Sequence, residues 1–111
     1  MLSDGFSVSV ASLPECELVS VRGELDGATA PELVAAIHRA RGAGRPVVID
    51  LSELAFIDSG GVHAMMQPSS RESLTAVVCP QGNVSKVLSI VRIDQLMPVY
   101  DRIETALASL R

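Results

Sequence analysis

Apolar and polar residues alternate over "FSVSVASL". Phe6, Val8 and Val10 point one way, and Ser7 and Ser9 the other, as in a strand with one face in solvent. Pro14 and Glu15 mark a turn, and "CELVSVRGEL" supplies a second strand. So short a connection predicts an antiparallel hairpin. The period then changes. Leu33, Val34, Ile37 and Ala40 recur at helical spacing, with Thr29 and Glu32 placed for a capping box and Pro31 in the first turn. Gly42, Gly44 and Pro46 end that helix, and no Gly-Lys-Ser/Thr follows them to make a phosphate loop.

"VVIDL" (47–51) is a continuous apolar run, expected as a central strand buried on both faces. After "SELA" and "FID" come two glycines and a short helix carrying Val62, Met65 and Met66 on one side, with Pro68 expected to stop it. "LTAVVC" (74–79) predicts another buried strand, and Asn83 is placed to cap a helix with Val84, Val87, Leu88 and Val91 inward. "MPVY" suits a short edge strand, where Pro98 is tolerated. Asp101 and Glu104 open a last helix with Ile103, Leu107 and Leu110 inward and Arg111 at its negative end. The order β-β-α-β-α-β-α-β-α predicts a single α/β domain over 1–111. Its sheet is mixed and mostly parallel, with an N-terminal hairpin and about four flanking helices.

Composition narrows the function. Apolar residues make up 48% of the 111 and aromatics only 3%, so Val, Leu, Ile and Ala must build the core. A net charge of −4 and scarce aromatics argue against a nucleic-acid partner. Cys16 and Cys79 lie in apolar runs without ligands at metal spacing, and read as small buried hydrophobes of a reducing compartment. No metal or cofactor is expected. The opening "MLSDGFSVSV" lacks a basic segment followed by an apolar one, so no secretory signal is expected. No apolar run reaches membrane-spanning length, and the expected location is the cytoplasm.

"FIDSGGVHAMM" (56–66) holds the most informative residue, a serine between a carboxylate and two glycines. Three readings stay open on residue chemistry alone. Asp58 and Ser59 both cap helices well, with Gly60 and Gly61 permitting a sharp strand-to-helix turn. A nucleophile elbow needs Gly-x-Ser-x-Gly, but Ile57 stands at the first glycine position; His63 shares a helix face with Ser59, and no acid is placed to orient it. Phosphorylation fits a hydroxyl at a helix start, where free N–H groups favour an anion.

"VVIDLSELAFIDSGGVHAM" resembles the hallmark segment of the STAS domain of anti-sigma factor antagonists, and "VRGELDGATAPEL" resembles the family's second signature. The resemblance implies partner switching. The antagonist binds an anti-sigma factor that is also a serine kinase, is phosphorylated on the motif serine and released, and is restored by a serine phosphatase. By position that serine is Ser59, with Asp58 the motif acid and Gly61 the motif glycine. Asp26 is the acid of the other signature, beside Thr29. The implied docking surface comprises Asp26, Thr29, Asp58, Ser59, Gly60 and Gly61. Val62, Met65 and Met66 are read first as core and second as apolar contact area. The implied role is non-catalytic. STAS domains also serve as non-switching accessory subunits of transporter-associated or larger signalling complexes. Two departures stand out: Gly60 replaces a second hydroxyl common in the family, and "GVHAMMQPSSRESL" (61–74) looks shortened and is interrupted by Pro68.

Overall fold

The computed structural model describes residues 5–111; Met1–Asp4 of the opening segment lie outside them. Alternation produces strands β1 (Phe6–Ser12) and β2 (Glu17–Leu25), which pair antiparallel with Val8 opposite Val21 and Val10 opposite Val19. Helix α1 (Ala30–Arg41) leads to β3 (Val47–Ile57), parallel to β2. Two short helices, α2 (Ser59–Met66) and α3 (Pro68–Ser73), precede β4 (Ala76–Val78). Helix α4 (Asn83–Ile90), a single 3-10 turn (Ile93–Gln95), β5 (Val99–Tyr100) and α5 (Ile103–Ala108) complete the chain. The sheet order is β1-β2-β3-β4-β5, with β3, β4 and β5 parallel.

This is the expected mixed α/β sheet with an N-terminal hairpin. Among the described residues it carries five helices rather than four. Pro68 does end α2, but its fixed φ also starts α3: Gln67 is extended (φ −58, ψ 143), and Pro68 takes the first helical position, where its missing N–H is harmless. The 61–74 segment is therefore two short helices joined at Gln67, interrupted at Pro68 as expected.

The core is divided by the sheet. Val19, Val21, Ile49, Leu51 and Val77 face α1, α2 and α4 across Leu33, Ile37, Met65 and Leu88. On the opposite face Cys16, Val48, Ala76 and Val78 meet Ala106 of α5, with Leu13, Tyr100, Ile103, Leu107 and Leu110 partly buried around them. β3 is buried on both faces over 47–51, as expected, but it runs six residues further, through "SELAFI". There only Leu54 and Ile57 are buried, a spacing of three. Irregularities against β2, between Ser20 and Arg22 and between Gly23 and Glu24, break the two-residue period.

Two expected helix caps do not form, and the last helix starts later than expected. Thr29 Oγ1 makes no cap bond to α1, because it is turned back into the preceding loop. The α4 end is closed by Ser85 Oγ, which accepts from Gly82 N–H at 2.8 Å, rather than by Asn83. Arg102, not Asp101, stands at the start of α5, and Arg111 lies beyond its end, bonded to Glu15 Oε2 at 2.9 Å. Both cysteines are free and buried, and burial, with Asp50 adding to it, pushes the Cys79 thiol up to about 11. Among the described residues no helix is long and apolar enough to cross a membrane.

The hairpin is anchored by one buried carboxylate. Glu17 accepts from Ser12 Oγ at 2.7 Å and from Arg45 Nη1 at 2.6 Å, and Arg45 Nη2 donates to the carbonyls of Leu13 and Pro14.

Candidate functional site

The parallel pairing of β2 and β3 brings Leu25 opposite Ile57, so the loops that follow the two strands lie side by side. Those loops carry "LDGAT" and "IDSGG", the two segments singled out in the sequence. The Asp58 N–H donates to Leu25 O at 3.2 Å, which ties one loop to the other.

In the second loop Asp58 is extended, and its Oδ1 accepts from Gly61 N–H at 3.1 Å, capping α2. Ser59 is the first residue of α2 and is exposed. Of the two residue types able to cap this helix, the aspartate takes the role and leaves the serine outside. The glycine pair has a different reason from the one expected. Neither glycine has a positive φ, so backbone freedom is not what the site requires. The requirement is space. A Cβ on Gly60 would lie 2.8 Å from Gly27 N, and one on Gly61 would lie 2.7 Å from Leu25 O and 2.8 Å from Leu25 Cγ. The N-terminus of α2 rests directly on the backbone of the other loop, and only residues without side chains permit that approach. A hydroxyl-bearing side chain at position 60 has no room here.

In the first loop Asp26 Oδ1 accepts from Ala28 N–H at 2.9 Å and Thr29 N–H at 3.0 Å. Thr29 is buried; its Oγ1 donates to Glu24 O and accepts from Asp26 N–H, both at 3.0 Å. The Thr29 N–H, aided by its hydroxyl and by the Ala28 N–H, outweighs desolvation and holds the Asp26 carboxyl below its ordinary range.

The nine residues singled out in the sequence therefore converge at one end of the sheet but at different depths. Ser59 is exposed, while Asp26, Asp58, Gly60 and Met66 are half-buried. Thr29, Gly61, Val62 and Met65 are buried, and Val62 and Met65 belong to the core. An apolar groove of about 550 Å3 opens beside Ser59, between α2 and α4, and is lined by Val62, His63, Met66, Val87 and Val91. Val87 and Val91 were expected to face inward; they are half-buried and form the groove's far wall. Their spacing of four residues is the only sequence signal that groups them. His63, weighed in the sequence only as a catalytic base, is an exposed rim residue of this groove and of a second one against Ala30, Pro31 and Val34 of α1. Among the described residues no group of three His, Cys, Asp or Glu side chains is placed to hold a metal.

The STAS domain family model matches residues 7–106. The chain belongs to the STAS domain family. Both signature segments lie inside the matched range, which begins in β1 and ends in α5. No curated protein sequence matches this chain. Among solved structures, an anti-sigma factor antagonist from Mycobacterium paratuberculosis is 28% identical, with a TM-score of 0.86 over 99% of this chain and 97% of that one. A putative anti-sigma factor antagonist from Thermotoga maritima is 21% identical, with a TM-score of 0.75 over 94% of both chains. The Bacillus cell fate determinant SpoIIAA, solved in its phosphorylated form, is 20% identical, with a TM-score of 0.61 over 96% of this chain and 99% of that one. The last two share the STAS fold with this chain.

Proposed function

We propose that this STAS protein is an anti-sigma factor antagonist that works by partner switching, with Ser59 as the switch. The observation that carries the reading is the division of labour at the start of α2. Asp58 caps the helix, so the Ser59 hydroxyl stays outside the fold, exposed beside an apolar groove. The likeness to the Mycobacterium paratuberculosis antagonist over nearly the whole chain supports the same role.

In this reading the unphosphorylated protein docks an anti-sigma factor that is also a serine kinase, and does so in the cytoplasm. The contact uses Asp26, Ser59, Gly60, His63 and Met66. Thr29, Asp58, Gly61, Val62 and Met65 hold that surface from below. The kinase supplies ATP and the base; this chain supplies only the acceptor oxygen. Phosphorylation adds about −1.5 to −2 charge directly beside the Asp58 carboxylate. An apolar or acidic partner surface must then desolvate or face that charge, and about 1.4 kcal/mol of such cost weakens binding tenfold. No refolding is needed. A serine phosphatase resets the switch.

The test is to co-purify the anti-sigma kinase, add ATP, locate the phosphate by mass spectrometry and measure affinity before and after. We expect phosphate on Ser59 and at least a tenfold loss of affinity. Ser59→Ala should bind normally and take up no phosphate. Phosphate on another residue, or a complex unchanged by phosphorylation as in a non-switching accessory subunit, would overturn the proposal.

A further inference from the structure

The hairpin hydrogen bonds identify which backbone groups of β1 face outward. Leu13 N–H donates to Cys16 O at 2.8 Å, and Glu24 N–H donates to Gly5 O at 3.1 Å. In an antiparallel ladder, bonded pairs alternate with non-bonded ones. With the observed register, Ser7–Arg22, Ser9–Ser20 and Ala11–Leu18 are the bonded pairs between these two ends. The N–H and C=O groups of Phe6, Val8, Val10 and Ser12 therefore point away from β2. Among the described residues β1 ends the sheet, and no strand pairs with those groups.

The two edges of the sheet differ in their protection. β5 is two residues long and directly follows Pro98. β1 is seven residues long and contains no charge and no proline, and its pairing with β2 runs without a bulge. Strand edges are normally blunted by lysine, proline, bulges or shortness, and β1 has none of these.

We infer that β1 is a self-association edge: two copies pair antiparallel through Phe6–Ser12 about a two-fold axis at Ser9, joining two five-stranded sheets into one of ten. The sequence is self-complementary in this register. Val8 falls opposite Val10 of the second copy, Phe6 opposite Ser12, and Ser9 opposite itself. Apolar residues stay on the helix-covered face, where Phe6, Val8 and Val10 are only partly buried in one copy. They then form a continuous row, Val21–Val8–Val10–Val19, across the junction. Ser7, Ser9 and Ala11 stay on the solvent face, with no charge in either strand to oppose another. The outward groups are those the pairing needs. Four residues in each copy offer one donor and one acceptor apiece, giving about eight hydrogen bonds, within the range of a standard protein interface.

The experiment is sedimentation velocity from about 5 to about 500 μM, where mass action populates a weak dimer. We expect the dimer fraction to rise with concentration. Val8→Pro should leave a monomer throughout: the Val8 N–H takes no part in the intramolecular ladder, so proline removes the outward donor without breaking a hydrogen bond to β2. Circular dichroism checks that it folds. Should it not, Ser9→Lys sets two like charges face to face on the solvent side and should weaken the dimer at least tenfold. Register is read by cysteine. Ser9→Cys should give a disulfide-linked dimer on mild oxidation, because non-bonded antiparallel pairs bring Cα atoms to about 4.5 Å, and Ser7→Cys should not. A monomer at every concentration, a dimer untouched by either edge variant, or equal cross-linking at positions 7 and 9 would overturn the inference.

Discussion

Two loops meet beneath the exposed surface, and each joins an aspartate to a nearby hydroxyl. In the loop after β2, Asp26 gathers the N–H groups of Ala28 and Thr29, and the Thr29 hydroxyl is buried among backbone partners. In the loop after β3, Asp58 bonds the Gly61 N–H, and the Ser59 hydroxyl is exposed. The chemistry is nearly the same, and depth separates the roles. A hydroxyl with several internal partners is fixed and inaccessible to a visiting enzyme. A hydroxyl whose neighbour has taken the capping role is free for one. The difference teaches that an aspartate-hydroxyl motif is no functional signal until the partners of the hydroxyl are known.

The contact between the loops is the most sensitive point. Gly61→Ala would place a methyl group against the Leu25 carbonyl and side chain, both part of a packed strand end. Overpacking of this kind costs roughly 2–3 kcal/mol, read as a lower urea midpoint with an unchanged slope. The two hydroxyls should then part company. Thr29→Val keeps the shape but strips partners from buried backbone groups, and should cost about 1–2 kcal/mol. Ser59→Ala, at an exposed site, should stay within about 0.5 kcal/mol of wild type. Equal effects at the two positions would erase the distinction drawn between them.

The smallest expected effect is one of pH. Hydrogen bonding holds the folded Asp26 carboxyl below its ordinary 3.8, so its contribution to stability is present above that value. It is lost as pH falls through the lowered folded value. Between about pH 5 and about pH 3, wild type should therefore lose more stability than Asp26→Asn, measured as the shift in urea midpoint. Parallel curves would show that Asp26 is no better bonded than a free surface acid.

Much of this was legible in the chain, for reasons that also explain the rest. The hairpin, the central strand and the amphipathic helices repeat a period that reflects burial directly, so alternation in "FSVSV" and the stripe through Leu33 and Ile37 suffice to place them. The second half of β3 escaped because its irregular pairing with β2 shifts burial to every third residue. Helix α3 escaped because Pro68 ends one helix and starts the next within two residues. At the site, "IDSGG" and "LDGAT" were recognisable, and their pairing follows from parallel strands. What no local pattern conveys is why positions 60 and 61 are glycine, since the atoms that would clash belong to Leu25 and Gly27, over thirty residues earlier. The burial of Thr29 was hidden likewise: a threonine before a proline-started helix looks like a cap until the loop it folds into is seen.

Tyr100 ends β5 and, like the partly buried Ile103, Leu107 and Leu110, packs against the small cluster of Cys16, Val48, Ala76, Val78 and Ala106. The chain has one tyrosine, no tryptophan and two weakly emitting phenylalanines, so this ring dominates its intrinsic fluorescence. A change in that emission would report detachment of the C-terminal helix, on the sheet face opposite the larger core. Unfolding followed optically would thus be watched from one corner, and a transition seen there ahead of the loss of circular dichroism would expose a fraying end rather than global melting.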